Sequence, residues 1–382
     1  MVFIKKKWVA VINENRWIVA KISRHKKKLT VYHMAELNRS ELIPAEDKPV
    51  AIVENQDGTA VVEKALGDLQ AQALKSWLKC NKVQLKKLGI TFSCSGVITR
   101  MVTLPDLSNK DLEKLLTEQV DQYFTVNISD YIVDYRILEK VQEEGQKRLR
   151  VLLVAIPLLE WEKQWKLWDS IGFAPKVTDF SAECLGRLYR YLSGWEEKKN
   201  QAPVLDLAIV DLGTDRVEFV LMEHGVFFLY SDMEISLGGV NEPDESEELA
   251  LVSELSETAE LNELGISNES IDSIEPNESI DASETVAQNE LEERLSPVFN
   301  TLTDFLNFFA SRHYGKSVDK IYITGECADY KNLEELFEKN MGIQSKVGFP
   351  EDWKPKFTSK SSNFADRWMK YGSLFGLATR ED

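Results

Sequence analysis

Asp211, Gly213 and Thr214 close an apolar run that reads Ile209-Val210-Asp211-Leu212-Gly213-Thr214. A glycine at a strand end lets backbone N–H groups reach phosphate oxygens with no Cβ in the way. Thr214 adds a hydroxyl, and Asp211 suits a Mg²⁺-bound water, since magnesium prefers carboxylate and phosphate oxygens. A hairpin then leads to Gly238-Gly239, 25 residues after Gly213, where close backbone approach is again allowed. Asp-x-Gly-Thr alone is also an ordinary tight turn. Paired with Gly-Gly across a hairpin, it reads as a phosphate-binding element.

The elements that must hold this hairpin follow from hydrophobic spacing. Trp8–Ile12, Trp17–Ile22 and Lys28–His33 are β-branched and aromatic runs split by polar turns, hence strands. Helical spacing covers Thr59–Lys79, and strands are expected at Gly89–Cys94 and Ile98–Leu104. Ser108 is placed to cap a helix whose first turn carries Asp111. Tyr131–Leu138 alternates Ile132, Asp134 and Arg136 against Val133, Tyr135 and Ile137, a half-buried strand. Leu149–Ile156 is continuously apolar, which fits a strand covered on both faces. The helix Leu158–Ser170 carries Trp161, Trp165 and Trp168 at packing-stripe spacing. A short strand Lys176–Phe180 and a helix Ala182–Ser193 complete the first half.

The charged stretch Trp195–Pro203 reads as a connector. After it come the strand Leu205–Leu212 and the strands Arg216–Met222 and Val226–Ser231 around Glu223-His224-Gly225. Leu291–His313 has strong helical spacing with Pro297 near its start. A strand Lys320–Thr324, a helix Asn332–Lys339, a strand Gln344–Gly348 and a helix Trp368–Thr379 follow. Twice, from Trp8 and from Leu205, the chain opens on hairpins and continues into helices and apolar strands.

Charge is concentrated. Of 63 acidic residues, 18 lie in 241–293, which holds no Lys or Arg, so most of 241–290 is expected to be disordered. The rest of the chain is nearly neutral. That acidic segment argues against nucleic acid as a partner. The four cysteines and four histidines show neither C-x-x-C nor i, i+4 ligand spacing, so no metal site is expected. Asp134, Asp179 and Glu118 could be drawn as an acid/base set, but alternation and helix surface explain them better, and no catalytic residue is assigned. With no run of about 18 apolar residues and no signal-peptide core at the N-terminus, a cytoplasmic protein is expected.

Several segments together resemble the PilM family, actin-like proteins of type IV pilus assembly similar to FtsA. They are Ser95–Pro105, the helix end Glu118–Phe124 (with Thr125 in place of the usual proline), Val151–Pro157, Ala174–Phe180 and Gly372–Ala378. The resemblance implies an α/β, two-lobed, actin-like ATPase (ribonuclease H-like) fold with an inserted subdomain. The lobes would be 1–88, completed by about 179–195 and the C-terminal helix, and 200–240 with 291–382. The subdomain would be 89–178.

It also implies ATP with Mg²⁺ between the lobes, cradled by three glycine-bearing elements. The second, with Asp211, Gly213, Thr214, Gly238 and Gly239, is intact. The first reads Asn13-Glu14-Asn15-Arg16-Trp17-Ile18, without its Asp, Gly and Lys, and Lys21 falls three residues late. The third reads Ile323-Thr324-Gly325-Glu326, keeping Gly325 while Glu326 replaces a glycine. Losing the lysine and the metal anchor removes the charge stabilisation of phosphoryl transfer, so hydrolysis is expected to be negligible and ATP binding is left open. The implied role is a scaffold at the inner face of the cytoplasmic membrane. It would take the N-terminal tail of a PilN-like inner-membrane protein into the subdomain and connect it to platform proteins and motor ATPases, with homo-oligomers allowed. Phe124, Tyr131, Val133 and Tyr135 are the expected groove residues. The rival readings are an active or polymerising actin-like ATPase akin to FtsA, and a kinase of the same superfold.

Overall fold

A computed structural model describes residues 6–12, 16–38, 69, 71–193, 205–237 and 278–381. The described strands form three sheets.

The first sheet contains β1 (Lys6–Ile12), β2 (Arg16–His25), β3 (Lys28–Asn38), β4 (Leu88–Phe92), β8 (Thr178–Phe180) and β14 (Lys356–Phe357). Their order across the sheet is β14-β3-β2-β1-β4-β8. The second contains β9 (Leu207–Leu212), β10 (Arg216–Glu223), β11 (Val226–Glu234), β12 (Lys320–Thr324) and β13 (Ser345–Val347). Their order is β11-β10-β9-β12-β13. The two sheets share one plan. Three antiparallel strands (β3-β2-β1 and β11-β10-β9) are followed by two parallel ones (β4-β8 and β12-β13). This duplication is the two-lobed actin-like architecture that the repeated hairpin openings imply.

The third sheet belongs to the inserted subdomain. Its strands are β5 (Ile98–Pro105), β6 (Tyr131–Glu143) and β7 (Gln146–Pro157), in the order β5-β7-β6. β7 is central, and Val151–Ala155 is buried on both faces, which explains its unbroken apolar run. Helix α2 (Asn109–Gln119) covers one face, capped by Ser108, whose hydroxyl accepts from the Asp111 amide at 3.2 Å. The subdomain boundaries expected at 89 and 178 need correction. β4 pairs in parallel with β1, and helix α3 (Leu158–Ser170) sends Trp168 into the first lobe's core, so both belong to that lobe.

Residues 71–80 form helix α1 and pack Leu74 and Leu78 beneath the first sheet. Helices α4 (Ser181–Leu192) and α7 (Gly372–Thr379) lie between the lobes. They join Ile22 and Val31 of the first sheet to Ile209, Val220 and Met222 of the second in one continuous apolar core. Helix α5 (Glu278–Arg312) and helix α6 (Leu333–Met341) close the outer face of the second sheet through Leu295, Phe299, Phe309 and Phe337. α5 starts well before the expected Leu291, so residues 278–290 are helical rather than disordered, and Pro297 sits inside the helix rather than near its start. Residues 241–277 of the acidic segment lie outside the described residues. No helix among the described residues is long and apolar enough to cross a membrane.

Candidate functional site at the interlobe cleft

The duplicated sheets place the ends of β1 and β9 on opposite walls of a cleft of about 760 Å³. Asp211, Gly213 and Thr214 line it from the second lobe. Arg16 and Ile18 face them from β2, and Glu326 and Lys370 enter from the loops after β12 and before α7. Gly238 and Gly239, like Asn13–Asn15, lie outside the described residues. Lys21 is not at the cleft; its ammonium sits 5.4 Å from the Trp8 ring centroid.

Asp211 is the penultimate residue of β9, and the β9–β10 register sets it directly opposite Glu218. Like charges facing each other across a strand pair repel. Burial, then the Glu218 charge, push the Asp211 carboxyl up to about 7, while Arg16 pulls the other way. Glu218 is also raised, chiefly by burial; hydrogen bonds from Ser93 and from Tyr230 (3.1 Å) hold its ionised form in part. The sequence carries a signal for this pair that motif spacing alone misses. A turn centred on Gly213–Asp215 forces position 211 against 218.

The glycines of this hairpin answer to the protein's own backbone. A Cβ on Gly213 would lie 2.7 Å from the Arg216 carbonyl oxygen, and the Gly213 amide already donates to that oxygen at 2.9 Å. Gly325 has φ +108, and a Cβ there would lie 2.4 Å from Asp211 Oδ1 and 2.5 Å from the Leu212 carbonyl oxygen. So the β12 loop rests directly on the Asp211 turn, with the Cys327 amide donating to Leu212 O at 2.9 Å. Gly325 packs at the site without lining the cleft.

Arg16 and Glu326 stand where the first and third glycine elements depart from the expected pattern, and they form an ion pair. Arg16 also reaches Glu36 at 3.6 Å. Lys370 bonds Glu36 at 3.1 Å and approaches Glu326 at 3.7 Å, and the Tyr371 hydroxyl donates to Glu36 at 2.7 Å. A second strap crosses the cleft nearby. Arg216 donates to Ser95 at 2.6 Å, and Ser95 donates to Glu234 at 2.6 Å. Arg16 and Lys370 are thus engaged by carboxylates, and the Gly213 amide by a carbonyl. Asp211, Glu218 and Glu326 would face an incoming phosphate with acceptors. The described residues therefore fit a Mg²⁺-triphosphate poorly.

A family profile for "Type IV pilus assembly protein PilM" matches residues 49–245. The chain belongs to the PilM family. Among solved structures it is similar to a PilM–PilN type IV pilus biogenesis complex, at 16% identity over 97% of each chain, with TM-score 0.63. It also matches, more distantly, a Bacteroides thetaiotaomicron protein with an actin-like ATPase fold (10% identity, 100% of each chain, TM-score 0.42). A third match is MreB 5 of Spiroplasma citri bound to AMPPNP (11% identity, 97% of this chain and 94% of that chain, TM-score 0.42). A PilM-type chain with an actin-like ATPase fold is what the sequence segments imply.

The expected groove residues separate in the structure. Phe124 is 7% exposed and packs with Leu112, Leu116 and Val151 in the subdomain core, so it does not line a groove. It closes that core because it directly follows the short 3₁₀ turn Val120–Tyr123. Tyr131, Val133 and Tyr135 share one face of β6, pack against the same core and remain half-buried. Among the described residues β6 pairs with β7 alone, leaving its outer edge free for another strand. Asp134, Asp179 and Glu118 are dispersed, as their strand and helix positions suggest. Asp134 is exposed and accepts from the Tyr135 amide, Glu118 approaches Lys114 on the α2 surface, and Asp179 is buried among arginines. Asp179, Glu183 and Cys184 lie close enough together to hold a cation, yet Arg136, Arg187 and Arg380 occupy those carboxylates. A further positive centre there would be repelled by the three arginines.

Proposed function

We propose that this PilM-family chain is a cytoplasmic scaffold of type IV pilus assembly. It binds the N-terminal tail of a PilN-like inner-membrane protein and does not turn over ATP. The observation that carries this reading is the Arg16–Glu326 pair, which ties the degenerate first hairpin to the glutamate that replaces a glycine in the third element, with charges that satisfy each other. Phosphoryl transfer needs cations free to follow charge onto the departing phosphate. Here Arg16 and Lys370 are bound to Glu326 and Glu36.

Membership of the PilM family and the likeness to a PilM–PilN complex support the partner assignment. The free edge of β6, with Tyr131, Val133 and Tyr135 alternating beside it, supports β-strand addition by an extended tail. Through that tail the protein would associate with the inner face of the membrane and reach the platform and motor proteins.

One experiment tests both halves. The purified protein is titrated with a peptide of the PilN-like tail, and phosphate release is followed with ATP and Mg²⁺. Saturable tail binding with phosphate release at background supports the scaffold. Turnover above background that falls in Asp211→Asn would establish the rival reading, an active actin-like ATPase.

A further inference from the structure

His313 directly follows α5, and both of its ring nitrogens meet oxygens. Nδ1 lies 2.7 Å from the Phe309 carbonyl oxygen, and Nε2 lies 2.7 Å from Oε1 of Glu223 on β10. A carbonyl oxygen and an ionised carboxylate only accept, and a neutral imidazole has one N–H to give. Both contacts are hydrogen bonds only when the ring carries its second proton. The ring is also held in plane. It stacks on Phe309 with centroids 3.9 Å apart and meets Phe228 edge-on at 5.6 Å.

Glu223 passes this contact on to the inserted subdomain. Its other oxygen, Oε2, accepts from Arg150 of β7, and Arg150 donates to Glu139 of β6 at 2.9 Å. These four side chains are only 15% to 19% exposed. Two carboxylates share one permanent cation, so the cluster is neutral only with the His313 proton in place. Asp206, just before β9, adds a further negative charge beside His313. Among the described residues the nearby cations are turned elsewhere. Lys316 and His224 Nδ1 take Asp206 at 2.7 and 2.8 Å, and Arg312 lies over the Phe308 ring at 5.0 Å. Burial acts to lower the His313 pKa, but the hydrogen bonds to Glu223 and Phe309 and the charges of Glu223 and Asp206 raise it above its ordinary 6.5. Burial acts to raise Glu223, but His313 and Arg150 hold it below its ordinary value.

We infer that His313 is a proton-dependent clasp between the second lobe and the inserted subdomain: protonated, it fixes Glu223 on Arg150 and Glu139; deprotonated, it releases Glu223 and the subdomain loosens against α5. Loss of the proton turns a lone pair toward one of the two oxygens and leaves an unbalanced carboxylate in a largely buried cluster. A group raised in the folded state contributes stability that is complete below its ordinary value and is lost as pH rises through the folded value. The clasp therefore holds on the acid side of neutrality and opens at some pH above 6.5. The Arg216–Ser95–Glu234 strap contains no histidine and stays closed, so the subdomain swings rather than detaches. Glu139 shares β6 with Tyr131, Val133 and Tyr135, so the looseness reaches the free sheet edge. The inference itself rests on neither the tail nor the nucleotide reading.

The test uses the full chain. NMR with isotope-labelled histidine follows each ring against pH, and His313→Gln identifies the His313 signal. Its midpoint should lie above 6.5. Glu223→Gln keeps the ring, removes the charge it faces and should bring that midpoint down. Subdomain position is read by electron-spin distance measurements between labels at Lys114→Cys on α2 and Glu335→Cys on α6, both exposed, with the exposed Cys80 replaced by Ser. In the parent the distance distribution should broaden as pH rises through the His313 midpoint. In His313→Gln it should be broad at every pH; if that variant does not fold, Glu223→Gln gives the same comparison. A midpoint at or below 6.5, a midpoint unmoved by Glu223→Gln, or a parent distribution that ignores pH while His313 titrates would overturn the proposal.

Discussion

Arg16 and Glu326 are partners across the interlobe cleft, although 310 residues separate them in sequence. Glu326 stands where a glycine is expected in the third element, and Arg16 lies in the first, which lacks its Asp, Gly and Lys. Together they join the first lobe's opening hairpin to the loop after β12, with Lys370 and Glu36 extending the network.

The first prediction measures that coupling. Both side chains are about one-quarter exposed, 25% and 26%, so water screens part of the attraction. A double-mutant cycle with Arg16→Gln and Glu326→Gln should give an interaction energy of about 1 kcal/mol in urea unfolding at low salt. It should shrink by roughly half in ~0.5 M NaCl. Additive single mutants would mean that the two residues do not act as a pair.

The second prediction concerns Asp211. Its folded-state carboxyl titrates at about 7 against an ordinary 3.8. A raised carboxyl favours the folded protein while protonated, and that contribution is lost as pH rises through the folded value. Asp211→Asn should therefore be more stable than the parent, with a gain that climbs between about pH 4 and about pH 7 and then levels off. Because Asp211 lines the cleft and is only half-buried as a residue, about 2 kcal/mol is expected at the plateau rather than the full value of the shift. Removing Asp211 also relieves Glu218 opposite it, which acts in the same direction. A pH-independent gain, or a loss, in chemical denaturation series would refute the assignment.

Much of this fold is written in local pattern. Alternation along Tyr131–Leu138 correctly separates the face of Tyr135 from that of Arg136, and the apolar run at Leu149–Ile156 marks the central strand. Strand spacing also exposes the duplicated hairpins. What local pattern does not carry is pairing over long separations. β4 and β5 are close in sequence, yet they belong to different sheets because their partners, β1 and β7, lie on opposite sides of them in the chain. The site suffers the same limit. Arg16, Glu36, Glu326 and Lys370 are individually unremarkable charges, and only the closed fold reveals them as one network. Phe124 defeats sequence reasoning for a related cause: aromatic residues beside an edge serve core and groove equally well until burial is known.

The third prediction separates two reasons for a glycine. Gly325 has φ +108, and a methyl group added to it would meet Asp211 and Leu212 atoms within 2.6 Å. Gly342, at the end of α6, has φ +66 and open space around it. Gly342→Ala should cost about 1 kcal/mol, the left-handed backbone penalty alone. Gly325→Ala should cost roughly 3 kcal/mol or more, since strain and overlap with backbone add. The comparison is made by urea unfolding without nucleotide. Equal costs at the two positions would remove the packing reason and return Gly325 to the phosphate-cradle explanation.

The last prediction divides Phe124 from the residues of β6. Phe124→Ala should cost about 3 kcal/mol or more, because it empties the core between α2 and β7. Any loss of tail binding in that variant would follow from a disordered subdomain. Phe124→Leu keeps most of the volume and should leave affinity for a PilN-like tail unchanged. Tyr131→Ala and Tyr135→Ala act on half-buried side chains beside the free edge. Each should lower tail affinity about tenfold, as removal of an interface aromatic does, while shifting the unfolding midpoint far less than Phe124→Ala. Fluorescence anisotropy with a labelled tail, paired with urea unfolding of each variant, checks this. If Phe124→Leu loses affinity at unchanged stability, Phe124 touches the tail after all. If both tyrosine variants bind normally, the tail docks elsewhere than along β6.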